Sequence, residues 1–158
     1  MKIPMADVVE LIKQRIAAQS AMHAMAGHNH PLLMFTKHHD AFLAVEAWEY
    51  TVPLMTAIRP WVWKLYLDAP GFYHGYMEFE FHTPHPRHAE LEPLVVRLCT
   101  AYLAQRLHAM LMEQIDPEGA AKIGNEAQST LNTIKTEMRQ ASLRASHLPQ
   151  ARLAEHFY

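Results

Sequence analysis

The stretch LEPLVVRLCTAYLAQRLHAMLM, residues 91–112, decides the fold of this chain. Its apolar residues occur all round the helical turns instead of along one stripe, and a helix without a polar face is usually covered on more than one side. Pro93 falls in the first turns, where a helix tolerates proline. The pattern therefore predicts a central helix over about residues 87–114, with other helices packed around it.

The DPEG segment, residues 116–119, predicts where the next helix begins. Asp116 suits the N-cap, Pro117 the first helical position and Glu118 the first turn. A fourth helix then runs to about residue 142, with an apolar stripe at steps of three and four residues. The stripe consists of Ile123, Ala127, Leu131, Ile134 and Met138.

Two further helices are predicted before the central one. Residues 5–25 carry apolar residues at three- and four-residue steps, and Gly27 is suited to end that helix. Residues 37–58 keep the same period. Because Pro53 lies inside this second helix, we expect a kink there or an end near Tyr50.

Between the second and the central helix, the period changes to two. WVWKLYLD (residues 61–68) places its tryptophans and leucines on one face, and YMEFEFH (residues 76–82) alternates in the same way. APGFYHG (residues 69–75) supplies turn residues between them. We therefore expect a β-hairpin over residues 61–82, which must pack on the helices or on a neighbouring subunit because an isolated hairpin is marginal in water.

These elements predict one domain of the mainly α class, a small bundle of about four helices with one inserted β-hairpin, over residues 1–142. Residues 143–158 lose the helical pattern and contain Pro149, so we expect an extended C-terminal tail. A chain of 158 residues is long enough to bury a stable core without disulfides or bound metal ions. The single cysteine, Cys99, excludes an internal disulfide and is expected to be a small buried side chain.

The composition excludes several functional classes. The formal net charge of −2 does not favour nucleic-acid binding by the surface as a whole. No apolar run reaches about 18 residues and the first residues lack the features of a signal peptide, so neither a membrane span nor an export signal is expected. The chain has no glycine-rich phosphate loop, no Gly-x-Ser-x-Gly elbow and no Cys-x-x-Cys pair. No catalytic residue and no cofactor are therefore predicted.

The 12 histidines are the unusual chemical feature. Three of them, His82, His85 and His88, lie in HTPHPRH and are candidate metal ligands. Ligands on a helix must lie one turn apart, as in His-x-x-x-His or Glu-x-x-His, and neither pattern occurs. The two prolines of the segment favour an extended connector between the hairpin and the central helix, in which these residues hold no metal.

Apolar elements that a monomer cannot cover usually mark contacts with other proteins. The aromatic hairpin and the C-terminal tail are expected to be elements of this kind. The expected hairpin contacts are Trp61, Trp63, Phe72, Tyr73 and Tyr76. The expected tail contacts are Arg144, Arg152, Phe157 and Tyr158.

The second half of the chain also resembles a known family. The stretch LEPLVVRLCTAYLAQRLHAMLMEQIDPEGAAKIGNEAQSTLNTIKTEMRQASL, residues 91–143, resembles the C-terminal half of head–tail connector (adaptor) proteins of tailed bacteriophages. The shared features are the apolar helix with LVVRLCTAYLAQRL, the break at DPEG and a long helix with small and apolar residues at regular steps. Some members also carry a β-rich insertion where this chain has its predicted hairpin.

The resemblance implies a non-enzymatic structural protein of the virion, assembled in the host cytoplasm and without a cofactor. About twelve copies would form a ring that docks on the portal protein, joins it to a tail or nozzle protein, and lets DNA pass without specific recognition. The C-terminal tail would contact the portal, and the hairpin would contact tail proteins or neighbouring subunits.

Two other classes stay open. The first is a metal-dependent helical-bundle enzyme, with ligands among His28, His30, His38, His39, His82, His85 and His88. The second is a cytoplasmic helical binding module. A stoichiometric transition metal in the purified protein would favour the enzyme, and portal and tail genes beside the gene would favour the connector.

Overall fold

The computed structural model describes residues 1–27, 30–82 and 88–146. These residues confirm a mainly α fold, with five α-helices and a small three-stranded antiparallel sheet. The helices are α1 (Met5–Met25), α2 (Asp40–Glu49), α3 (Thr51–Ile58), α4 (His88–Met112) and α5 (Pro117–Ser146). The strands are β1 (Lys2–Pro4), β2 (Val62–Asp68) and β3 (Tyr76–Phe81), and short 3-10 turns lie at Pro31–Thr36 and Arg59–Trp61.

The central helix is α4, as its all-round apolar character predicts. It packs against α1, α2, α5 and β1. Its buried apolar residues are Val95, Cys99, Tyr102, Leu103, Ala104, Leu107, Leu111 and Met112. Burial raises the pKa of the Cys99 thiol to about 12. The thiol is therefore protonated at neutral pH and serves as a small apolar side chain.

The start of α5 follows from local capping. The Asp116 carboxylate accepts a hydrogen bond from the Gly119 N–H at 2.9 Å, as expected of an N-cap aspartate. The stripe predicted for this helix contributes Ala127, Leu131, Ile134 and Met138 to the core, whereas Ile123 is half-buried. The helix continues to Ser146, beyond the expected end at about residue 142, and residues 147–158 of the expected tail lie outside the described residues.

The second predicted helix is divided in two near Tyr50, one of the two outcomes expected of the proline inside it. α2 ends at Glu49 and α3 begins at Thr51, so that Pro53 lies in the first turn of a new helix. The buried Thr51 hydroxyl donates to the Trp48 carbonyl at 2.6 Å across this junction. The helical part begins at Asp40 instead of residue 37.

The hairpin packs on the helices of its own chain. Met77 and Phe79 of β3 are fully buried in the core, and β3 is the middle strand of the order β1-β3-β2. The third strand, β1, was not predicted, because three residues are too few to show a period of two. It pairs Ile3 with Met77, and the amino terminus of Met1 donates to the Phe79 carbonyl at 2.7 Å.

A β-bulge makes the predicted alternation of β2 wrong at its start. Val62 pairs with Phe81 and Lys64 with Glu80, so Trp63 is an extra residue between two successive pairs. A bulge shifts the side chains that precede it to the other face. As a result Val62 is buried in the core and Trp63 is 60% exposed, instead of facing inwards with Leu65.

Candidate functional site

The hairpin presents three exposed aromatic side chains, which we call the hairpin aromatics: Trp63, Tyr66 and Phe72. Phe72 lies at the tip and is 67% exposed. The tip is held in place, because the Trp48 indole N–H donates to the Phe72 carbonyl at 3.0 Å. At Gly75 a Cβ atom would come within 2.6 Å of the Trp48 ring, so only glycine allows this close approach.

The other predicted hairpin contacts are partly covered by the chain itself. Tyr73 and Trp61 pack against the core. Trp61 also lines an open groove of about 580 Å³ between α3 and α5, together with Pro53, Pro60, Leu131 and Lys135. The ring of Tyr76 lies 3.5 Å from the Lys2 ammonium, a cation–π contact on the outer face of the sheet. Of the five predicted contacts, Trp63 and Phe72 are the exposed ones.

A second set of exposed apolar side chains lies on the last turns of α1, on the 3-10 turn that follows and on the first turn of α2. We call it the methionine group, and it consists of Met22, Met25, Leu33, Met34 and Phe42. Met25 is 91% exposed at the end of α1. Phe42 stacks on Phe35, with ring centroids 5.7 Å apart. Unbranched methionines adapt to irregular partner surfaces, so the group suits protein contact.

A polar network joins α1, α4 and α5 and extends from the buried His108 to the surface. The Nε–H of Arg15 donates to Nδ1 of His108 at 3.4 Å, and Nε2 of His108 lies 2.9 Å from the side-chain oxygen of Gln19. Arg15 also forms an ion pair with Glu126 at 3.2 Å. Because arginine only donates, Nδ1 of His108 is the acceptor and Nε2 carries the proton that Gln19 accepts. His108 is therefore a neutral ring with both nitrogens satisfied.

Burial is the main reason why the pKa of His108 is lowered to about 4, and the positive charge of Arg15 adds to the effect. A second buried ring, His30, accepts a hydrogen bond from the Leu32 N–H at 3.1 Å and touches His23 edge-on. The pKa of His30 is also lowered, first by burial and then by His23. Both rings are structural and neutral at pH 7.

The network was missed at the sequence level, although one signal for it exists. Gln105, Arg106 and His108 interrupt the apolar run of α4, and polar groups in a buried helix need partners. The partners themselves are not predictable, because Arg15 is 93 residues away from His108.

Four of the histidines proposed as metal ligands, His30, His38, His39 and His82, have side chains that the structure describes, and none of them belongs to a group of three possible ligands. His38 and His82 are exposed and His30 is buried against its own turn. His28 and His85 lie outside the described residues, and only the backbone of His88 is described, at the start of α4. Among residues 1–27, 30–82 and 88–146, no three His, Cys, Asp or Glu side chains are close enough to hold a metal ion.

The carboxylates of the sheet are surface groups. Glu80 forms an ion pair with Lys64 at 3.3 Å, and Glu78 lies on the same outer face of β3. Of the predicted tail contacts, Arg152, Phe157 and Tyr158 lie outside the described residues, and for Arg144 only the helical backbone is described.

No protein-family model matches this chain, and no match to it is found among curated proteins or solved structures. In the part of the chain that the structure describes, none of the helices has the length and apolar character needed to cross a membrane. The function of this chain is therefore inferred from its own geometry and from the resemblance of residues 91–143.

Proposed function

We propose that this chain is a structural subunit that acts by binding other protein subunits, and that its assembly is the head–tail connector of a tailed bacteriophage. The observation that carries the first part is the presence of two sets of exposed apolar side chains, the hairpin aromatics and the methionine group. Clustered apolar side chains on a surface favour contact with another protein. The second part is supported by the resemblance of residues 91–143 and by a hairpin between the second predicted helix and the central one.

The two groups include side chains at distant parts of the chain, as a head-to-tail contact in a ring requires. α1 begins beside the hairpin tip, where the Met5 N–H donates to the Gly75 carbonyl at 2.9 Å. Its 21 residues span about 31 Å at 1.5 Å per residue, so its last turn lies far from that tip. A twofold dimer can also pair these two regions, so the mass in solution distinguishes it from a ring. A head-to-tail contact, hairpin aromatics of one copy against the methionine group of the next, repeats around a closed ring.

In the connector proposal, about twelve copies surround a bore that DNA crosses without specific recognition. The ring docks on the portal protein through the C-terminal segment and joins the portal to a tail or nozzle protein. The chain needs no cofactor and no catalytic residue for this role.

The test of assembly is the mass in solution, measured by light scattering, together with negative-stain imaging. The single chain has a mass of 18.2 kDa, and we expect a defined multiple of it and ring-shaped particles. The double variant Trp63→Ser/Phe72→Ser removes two exposed aromatics and should give the single-chain mass. Val52→Ser/Ile115→Ser is the matched control, since both residues are exposed but belong to neither group.

Two results would contradict the assembly proposal. The first is a parent chain that stays at 18.2 kDa up to roughly 100 μM, a concentration at which even weak specific contacts form. The second is a control variant that dissociates as readily as the hairpin variant.

The connector role needs its own experiment, because a ring alone does not identify it. A chain that ends at Ser146 keeps all of α5 and removes Arg152, Phe157 and Tyr158. We expect it to form the ring but to lose binding to isolated portal rings encoded beside its gene. Portal binding by the shortened ring would show that the tail is not the docking segment. A full-length ring that ignores the portal would refute the connector role and leave the assembly proposal standing.

A further inference from the structure

A cleft of about 340 Å³ lies between α4 and α5, close to the start of α5. This volume is within the range of small-molecule sites, about 300–1,000 Å³. Its lining is mixed: Tyr50 lies at the junction of α2 and α3, Arg106 and Met110 on α4, Glu113 just after α4, and Ala120 and Gly124 on α5. The assembly proposed above does not use this cleft, and nothing in that proposal explains it.

Arg106 is the polar group in the cleft that lacks an acceptor. Its guanidinium carbon lies 5.2 Å from the centre of the Tyr50 ring, and its Nε is buried without a hydrogen-bond partner. The ion pairs formed within the described parts of the chain involve Lys13, Arg15, Lys64 and Lys122, and none involves Arg106. The Nε atom is enclosed by the chain itself, so an anion in the cleft would be bound by the terminal nitrogens of the guanidinium, for which the described residues supply no ion-pair partner.

The surrounding charges decide which anion suits Arg106. Glu113 lines the cleft and is exposed, and Glu46 and Glu49 are close enough to Tyr50 to act on its phenol. These carboxylates oppose a ligand with two negative charges, such as a phosphate monoester. A carboxylate carries one charge, so these groups repel it less than they repel a phosphate monoester, and its planar shape matches the guanidinium fork.

The rest of the cleft suits an apolar body. Gly124 lies on the α5 side, and a Cβ atom placed there would meet nothing within 4 Å, so the space above it is open. Met110 supplies an adaptable apolar wall on the α4 side. We infer that this cleft binds a small monocarboxylate, with the carboxylate on Arg106 and an apolar body between Met110 and Gly124.

The experiment measures binding of 3-phenylpropionate to the full chain by calorimetry, with 3-phenylpropanamide and phenyl phosphate as the neutral and doubly charged counterparts. We expect the carboxylate to bind and the other two compounds to bind at least about tenfold more weakly. A tenfold change in Kd corresponds to the loss of about one charge-assisted hydrogen bond. Arg106→Gln should reduce carboxylate affinity by about tenfold or more. Arg97→Gln is the matched control on the exposed face of α4 and should bind like the parent.

Gly124→Leu provides a second variant that keeps Arg106. Its side chain enters open space, so the chain should fold, as unfolding in urea will show, while the filled cleft no longer accepts 3-phenylpropionate. Chemical-shift changes in the parent should centre on Arg106, Met110 and Gly124.

The inference is overturned if 3-phenylpropionate fails to bind the parent up to about 10 mM, a Kd that corresponds to less than 3 kcal/mol. Equal binding of the amide, tighter binding of the phosphate, or unchanged binding by Arg106→Gln overturns it as well.

N-acetyl-Ala-Phe and its amide identify the source of the carboxylate. An acid peptide that binds tenfold tighter than 3-phenylpropionate assigns the end of a polypeptide chain, and weaker or similar binding assigns a free organic acid.

Discussion

Replacement of His108 by glutamine should make the chain less sensitive to acid. In the fold His108 is neutral, with Nδ1 accepting from Arg15 and Nε2 donating to Gln19. Protonation would remove the acceptor and place a second positive charge beside Arg15. The pKa of the ring is lowered to about 4 in the fold, against 6.5 for the ordinary side chain that the unfolded chain exposes.

The direction of the pH effect on the free energy of unfolding follows from the difference in proton binding between the two states. Between these two pKa values the unfolded chain binds a proton at residue 108 that the folded chain does not, so acid favours unfolding. The contribution is complete above about pH 6.5 and is lost as the pH falls towards 4. At 1.36 kcal/mol for each pKa unit, the shift of His108 contributes roughly 3 kcal/mol to the free energy of unfolding. About 2 kcal/mol of this contribution is lost between pH 7 and pH 4.5. This is a large share of the 5–15 kcal/mol that a typical domain has.

The assay is urea unfolding followed by circular dichroism at pH 7 and pH 4.5, at one fixed protein concentration because the chain is proposed to associate. Glutamine can accept from Arg15 and donate to Gln19 but does not titrate in this range. On acidification, the free energy of unfolding of the variant His108→Gln should therefore fall by about 2 kcal/mol less than that of the parent.

The exposed His38 provides the control, and His38→Gln should lose as much free energy of unfolding as the parent. His30 stays in both proteins, so its own contribution cancels in the comparison. An equal acid loss in His108→Gln and the parent would refute the assignment of His108 as a buried neutral ring.

Three further outcomes are expected. Gly124→Ala should raise the free energy of unfolding by about 1 kcal/mol, because it stiffens the interior of α5 and its Cβ meets nothing within 4 Å; a loss of stability in urea would show that the space is not open. Leu103→Ala should lower the free energy of unfolding by about 2–5 kcal/mol, since Leu103 is fully buried on α4. Met22→Ala, at a 72% exposed position, should change it by no more than about 0.5 kcal/mol. Similar losses for both variants would contradict α4 as the central helix. Cys99 should resist iodoacetamide at pH 8 in the folded chain and react in urea, because its thiol is buried with a raised pKa; rapid labelling of the folded chain would contradict this.

The candidate sites were predictable only in part. Trp63 and Phe72 were expected at a surface and are exposed, but Trp63 is exposed for a reason that the alternating pattern did not contain. Arg106 could not be recognised as a binding residue from the sequence. Whether its guanidinium finds an acceptor depends on how α4 and α5 pack against each other. Whether the histidines at positions 85 and 88 approach other ligands stays a prediction, since their side chains lie outside the described residues.

The amino-acid sequence by itself determined the helical elements and the central position of α4. These depend on interactions within a turn or two: the period of apolar residues, the Asp116 carboxylate reaching Gly119, and a proline that forces a new helix near Tyr50. Only the tertiary structure decided the pairing of β1, the bulge at Trp63 and the neutral state of His108. Each of these needs a partner far along the chain, Lys2 opposite Glu78 or Arg15 against His108, and the energy of such contacts depends on how the whole core packs.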